Sequence, residues 1–294
     1  MSTVFKKIFM ILIGFVAGIA SWAIIEILLY HGELIGRHIL WNGLAGAATG
    51  LMFGFFFGSA EGIMFSDSAR ALRGGILGSI LGLAGGAGAM ISSQWLLYVI
   101  GNTEFFPSTI TDSFVIPLSR AIGWGILGLV IGLLDGLRSG SVRRSFIGIL
   151  GGLTGGFIGG LMLEFLTRLW SNGLFARGAG MVLLGGGIGL FFVLFEYSRS
   201  YGIIKILTGP YRGKEYVLIM KNTRLGSSPR AHIPLGDYPG VKKNHAIFTA
   251  NRNGINLRKI DGNLLVNDKS IIEQELKYED VIQAGTAKLL YLPK

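Results

Sequence analysis

Long apolar stretches alternate with short charged ones from the first residues to about position 200, after which the rhythm changes. Apolar residues dominate segments 8–30, 39–63, 72–100, 115–137, 146–170 and 178–197. A helix rises about 1.5 Å per residue and the hydrocarbon layer is about 30 Å thick, so about 20 apolar residues cross it. The pattern therefore predicts an α-helical transmembrane bundle of about six helices. From Gly202 onward, short β-branched and aromatic runs are separated by Gly, Pro, Asn and Asp, and helical periodicity is lost. Runs 216–220, 246–249, 255–259, 264–267 and 288–292 predict strands of an all-β sandwich. The expected division is a polytopic membrane domain over residues 1–201 and a soluble domain over residues 202–294.

Composition sharpens the boundary. Half of the 294 residues are apolar and 15% are charged, which points to lipid as the solvent for much of the chain. Residues 1–201 carry 12 Lys/Arg against 9 Asp/Glu, while the remainder carries 15 against 8, so most of the net +10 lies on the tail. Of 47 glycines, 38 precede the boundary. With no cysteine, disulfides, thiolate metal sites and a cysteine nucleophile are excluded. A basic tail next to a bilayer suits anionic head groups or a phosphorylated protein, and no nucleic-acid partner is expected.

The distribution of cations sets the orientation. Lys6 and Lys7 precede the first span; Arg70 and Arg73 follow the second; Arg138, Arg143 and Arg144 follow the fourth; Arg199 and Lys205 follow the sixth. The alternate loops are poorer in charge, which places both termini in the cytoplasm and the protein in the plasma (inner) membrane. Gly18 and Ala20 also form a small-x-small pattern of the kind cleaved after a signal peptide, although apolar sequence runs on to Tyr30. The tail stays inside on either reading.

The apolar half contains an internal echo at an offset of 74 residues. Gly54, Gly58, Glu61 and Gly62 fall on Gly128, Gly132, Asp135 and Gly136; Arg70, Gly74, Gly78, Gly82 and Gly86 fall on Arg144, Gly148, Gly152, Gly156 and Gly160. Two tandem helix pairs are expected, near 39–100 and 115–170. Gly185, Gly189 and Glu196 repeat the spacing in a partial third unit over 178–199. Glycine at every fourth position smooths one helix face and lets backbones approach where lipid supplies no hydrophobic drive, the pattern of a glycine zipper. The acids Glu61, Asp135 and Glu196 recur at expected cytoplasmic ends, with Glu26 and Glu164 near outer ends. Intramembrane acids attract functional readings, yet positions at the rims favour pairing with Arg70, Arg138 or Arg199 over an ion path.

In the tail, Gly209 and Gly213 precede a strand, Leu225-Gly226 opens a loop, and residues 233–235 read as a strand. His245-Ala246-Ile247 starts another, followed by Val266-Asn267 and by Leu276, Glu279-Asp280, Ile282 and Ala284-Gly285. This order resembles forkhead-associated (FHA) domains, β-sandwiches that typically read phosphothreonine peptides. The resemblance implies tentative peptide and phosphate contacts at Gly226, Ser227, Ser228, Arg230, Lys242, Lys243, Asn244, Asn263 and Asn267, with His245 structural. It departs from the family where phosphate is bound. Ser227 stands where an Arg usually follows the loop glycine, Lys242 replaces the usual Ser, and Asp261-Gly262-Asn263 shortens the next loop.

Catalytic groupings, nucleotide loops and metal-ligand spacings are not found; His31, Glu33 and His38 lack a third strong ligand. No enzyme and no cofactor are expected. Three functional readings stay open. The first is a membrane-anchored recruitment and signalling protein whose FHA-like domain binds a cytoplasmic protein, with or without phosphorylation by a Ser/Thr kinase. The second is a channel or transport component with a regulatory tail. The third is a scaffold, as a homo-oligomer or within a larger membrane complex.

Overall fold

The computed structural model of the chain describes residues 3–30, 38–64, 67–101, 111–228, 231–251 and 254–293. Two compact units divide it, Lys7–Glu196 and a second comprising Met1–Lys6 with Tyr197–Lys294.

Six long helices come first: α1 (Thr3–Tyr30), α2 (His38–Met64), α3 (Ser68–Gly101), α4 (Ile116–Ser139), α5 (Val142–Leu169) and α6 (Gly173–Ser198), with a π-helical turn at Thr111–Val115 leading into α4. All six are long and apolar enough to cross a membrane. Several begin a turn earlier than the apolar pattern predicts, α3 at Ser68, α5 at Val142 and α6 at Gly173. Their first two turns carry Arg70, Arg73, Arg143, Arg144 and Arg177. Backbone hydrogen bonding, and not apolarity, fixes where a helix starts, so it runs past the hydrocarbon edge. Caps mark these starts: Asp67 Oδ1 accepts the Arg70 amide at 2.9 Å and Ser141 Oγ accepts the Arg144 amide. Gly140, at φ 61°, ends α4 and turns the chain directly into α5.

Glycine determines which helices touch. A side chain at Gly50, Gly54 or Gly58 of α2 would overlap the carbonyls of Gly82, Gly78 and Gly74 of α3. Along α4, Gly128 and Gly132 meet Gly152 and Gly148 of α5 in the same way. The last helix lies against two neighbours: Gly185 abuts Gly14 of α1, and Gly155 and Gly159 of α5 abut Ile188 and Leu184 of α6. Helix axes come this close only when no Cβ intervenes. Around these contacts one buried cluster draws on all six helices, with Phe53, Leu127, Leu184 and Ile188 among its least exposed members.

The tail is a sandwich of two sheets. One orders its strands β2-β1-β11-β10-β7-β8 and the other β4-β3-β5-β6-β9. Their ranges are β1 Ile203–Ile206, β2 Glu215–Val217, β3 Asn222–Gly226, β4 Ile233–Pro234, β5 Ala246–Ala250 and β6 Ile255–Lys259; then β7 Leu264–Val266, β8 Lys269–Ser270, β9 Glu273–Leu276, β10 Val281–Ala284 and β11 Ala287–Leu292. Pairing is antiparallel except between β3 and β4. Inward positions alternate, as with Ala246, Phe248 and Ala250 of β5 and Ala287, Leu289 and Tyr291 of β11, and the two inner faces form one core. The sandwich thus has more strands than the sequence pattern marks out. The run expected at 216–220 is strand only to Val217, and the one at 264–267 ends at Val266 because Asn267 and Asp268 adopt φ of 50° and 62° in a two-residue hairpin turn.

Candidate recognition rim of the tail

Three loops meet at His245, which is fully buried. Its Nδ1 accepts the Lys242 amide at 3.2 Å, so the ring proton sits on Nε2 and is donated to the Asn263 carbonyl at 2.9 Å. Its own amide donates to the Leu225 carbonyl, and its carbonyl accepts from Ile260 and Asp261. The imidazole therefore ties the loop before β5 to the loop between β6 and β7, and the backbone of the same residue ties both to the end of β3. Two glycines make this possible. A side chain at Gly226 would strike the Lys243 carbonyl, and one at Gly262, where φ is 80°, would strike the His245 ring. The Ser227 amide donates to the Lys242 carbonyl at 2.9 Å, which closes the third side.

The side chains expected at a binding site are distributed around this hub. Lys242, Lys243, Asn244 and Asn263 are exposed, while Ser227 and Ser228 are half-buried. Arg230 lies outside the described residues. Asn267 is occupied elsewhere: its side-chain amide donates to Asp280 at 2.8 Å and its carbonyl oxygen accepts the Val281 amide at 2.9 Å, which pins the β7–β8 turn to the start of β10. The lysines give the rim positive charge, but the Ser227 and Ser228 amides both point at carbonyls. They do not form the cluster of converging N–H groups that a phosphate favours.

Two apolar residues also stand at this end of the sandwich, and polarity alone does not point to them. Ile260 and Ile272 are exposed, the latter at 75%, and the Lys259 amide donates to the Ile272 carbonyl beside the hub. An isolated isoleucine in a loop carries no periodic signal that would single it out. His232 accepts the Arg224 amide through Nδ1 at 3.0 Å.

A second polar cluster stands at the β1–β2 turn. Tyr211 donates its hydroxyl to Asp237, Tyr238 donates to the Thr208 carbonyl at 2.7 Å, and Lys214 Nζ lies 4.7 Å from the centre of the Tyr211 ring. The bond to Asp237 raises the Tyr211 pKa, and burial lowers that of Lys214. These contacts hold the turn.

In the helical unit, Glu61 pairs with Arg138 at 2.7 Å across α2 and α4, and the same guanidinium bonds the Gly58 carbonyl. Glu196 is buried, and the side chain of Asp135 lies outside the described residues. At the opposite end, Glu26 takes both Arg177 nitrogens at 2.7 and 2.9 Å and the Trp22 indole at 3.1 Å, while Glu164 pairs with Arg120 at 3.1 Å. A pocket of about 690 Å³ opens beside α1 and α6 and is lined by Trp22, Trp170 and Phe175 among others, with no titratable side chain in its wall. His31 and Glu33 lie outside the described residues.

Residues 205–294 match the model of the family described as "Inner membrane component of T3SS, cytoplasmic domain". The curated proteins give no match. Among solved structures, the FHA domain of a Chlamydia trachomatis protein is 24% identical, covering 31% of this chain and 96% of its own, with a TM-score of 0.29. An FhaA FHA domain complexed with the intracellular domain of Rv3910 is 21% identical over 30% of this chain and 97% of its own, TM-score 0.28. The cytoplasmic domain of PscD, a T3SS sorting platform protein of P. aeruginosa, is 18% identical over 31% of this chain and 78% of its own, TM-score 0.28. The chain is therefore a six-helix, membrane-type protein carrying a C-terminal β-sandwich similar to FHA domains and to the cytoplasmic part of a secretion-system component.

Proposed function

We propose that this chain is a membrane-anchored recruitment protein whose FHA-like domain holds a partner protein at the cytoplasmic face through the rim around His245. The observation that carries this reading is the fixed convergence of three loops on one buried histidine, through its ring and its backbone, with exposed Lys242 and Lys243 at the same end as exposed Ile260 and Ile272. A rim held by backbone bonds is preorganised, so little ordering entropy is lost on binding. Its surface suits a segment with acidic residues next to an apolar one. Phosphothreonine adds charge that the lysines attract, but the guanidinium fork that makes such recognition strong is replaced by Ser227. Phosphorylation then strengthens binding modestly and is not a condition for it. Signalling through a Ser/Thr kinase belongs to the same proposal.

The family described as an inner-membrane secretion component supports a related reading, in which the recruited partner is part of a larger membrane assembly. Arrays of matched threonine, phosphothreonine and aspartate peptides, read with the full-length protein in detergent, test the proposal. Lys242→Ala with Lys243→Ala should weaken every bound peptide several-fold, and phosphate should change affinity by less than about tenfold, or about 1.4 kcal/mol. Binding that ignores the lysine variant removes the rim from consideration. Because the chain has no cysteine, single cysteines placed at Ser227 and at Ser171 give a direct orientation test in intact cells. A membrane-impermeant reagent should label only the second.

A further inference from the structure

We infer that α1 is the second helix of a third repeat, so that the helical domain closes into three equivalent pairs, α2–α3, α4–α5 and α6–α1, around a filled centre. This goes beyond the recruitment reading and does not depend on it. The first two pairs make the same contacts at the same offset: Gly54 on Gly78 and Gly58 on Gly74 in one, Gly128 on Gly152 and Gly132 on Gly148 in the other. Gly62 on Ala71 and Gly136 on Ser145 continue the match. The pair formed by the last and first helices repeats the ladder. Gly185 meets Gly14, Gly189 meets Met10 and Gly18 meets Met181, stepping by four residues in opposite directions as the other two do.

The ladder, taken with the acid near the end of each first helix, fixes one alignment and with it which other residues correspond. Placing Gly189 on Gly128 and Gly54 puts Ile188 on Leu127 and Phe53, and Phe192 on Ile131 and Phe57. All six are buried members of one cluster. The acids that set it are Glu196, Asp135 and Glu61. On the partner helices it puts Ser21 of α1 on Leu163 and Ala89, again all buried. Coincidence in the glycine ladder does not require agreement in burial at positions that play no part in it. One large buried residue from each of α2, α4 and α6 thus falls at each of these two levels, and all of them join one cluster, which is the filled centre of the proposed ring.

The third pair differs in one respect. Three residues separate α2 from α3 and two separate α4 from α5, whereas α6 and α1 are the last and first helices of the domain. The bidentate Glu26–Arg177 pair links them at the opposite end. Both side chains are half-buried, and removing either leaves the other without its bidentate partner.

The test uses full-length protein purified in detergent. Gly14→Leu and Gly185→Leu should each abolish most of the monodisperse product, as should Gly82→Leu and Gly156→Leu, while Gly88→Leu, which meets open space, should not. If Gly14→Leu and Gly185→Leu behave like Gly88→Leu, the third pair is refuted. Two milder readouts guard against variants that merely fail to fold. Glu26→Gln should lower the melting temperature more than Glu164→Gln; the reverse order argues against a pair closed by its ion pair. The intact mass of unmodified protein should include α1, and in liposomes it should pass no ions above the protein-free rate; loss of α1 by cleavage, or steady conduction, overturns the closed, filled ring.

Discussion

The two halves of this chain hold together by opposite means. In the helical unit, contact is made where side chains are missing: Gly78, Gly82, Gly148 and Gly152 let backbone meet backbone. In the sandwich, contact is made where large side chains are present, as with Phe248, Leu257 and Leu289 filling the space between two sheets. The difference follows from the solvent. Lipid is as apolar as leucine, so bulk gains nothing by moving from lipid to protein, and close packing must drive association. Water rewards every apolar atom removed from it. One half should fail when atoms are added, and the other when they are removed.

The strongest way to break this contrast is Gly152→Leu combined with Gly156→Leu. Both positions face backbone of α4, and the expected outcome is near-complete loss of folded protein by size-exclusion chromatography in detergent. Next, Phe248→Ala should cost the sandwich about 3–5 kcal/mol through the cavity it leaves, measured as loss of amide protection in β3, β5 and β6. His245→Ala should cost about 2–3 kcal/mol, because the Lys242 amide and the Asn263 carbonyl lose their partner in a buried place. Its effect should spread to the rim and weaken peptide binding even with both lysines present. Arg138→Ala should cost the bundle about 1–3 kcal/mol by stranding the Gly58 carbonyl and half-buried Glu61, read as a lower melting temperature.

The smallest effect is a pH response confined to the tail. Burial raises the Tyr291 pKa to about 12 from an ordinary value near 10. The neutral phenol, which donates to the Tyr201 carbonyl, is the form that the folded state favours. Its contribution is therefore complete below about pH 10 and is lost as pH rises toward 12. Tyr216, also raised by burial, adds to the same alkaline loss. Tyr291→Phe should flatten part of the decline in stability measured by urea unfolding between those values.

Much of this organisation can be read from residue order, and the gaps have physical causes. Spans of the bundle are legible because lipid demands a long apolar run, while their starts are not, since Ser141 and Asp67 cap helices outside the apolar stretch. Residue order puts Glu61 and Arg138 at the same end of their spans but does not say that these two, on helices separated by α3, pair with each other. In the sandwich, strands of even alternation such as β5 and β11 stand out. By contrast, β9 exposes Glu273 and Glu275 and buries Leu276 alone, so its sequence reads as a polar loop. The rim loops were legible through resemblance, but Asn267 was grouped with them when its side chain in fact secures β10. A dipeptide reports a turn without reporting which strand the side chain reaches. Contact between α1 and α6 is hidden for a simpler reason: the two lie at opposite ends of the domain in sequence.

A ladder with rungs every four residues has a further property: it specifies that two helices meet, but only weakly specifies where along their length. Sliding α6 past α1 by one turn in the right direction would carry Gly185 to the level of Met10 and bring Gly189 beyond the last rung, exchanging one smooth contact for a similar one at little steric cost. In the other two pairs a connection of only two or three residues forbids the slip. For α6 and α1 the alignment is written in charge, by a carboxylate that fits both nitrogens of a single guanidinium at one position only. Glycine supplies the adhesion and Glu26 supplies the index mark.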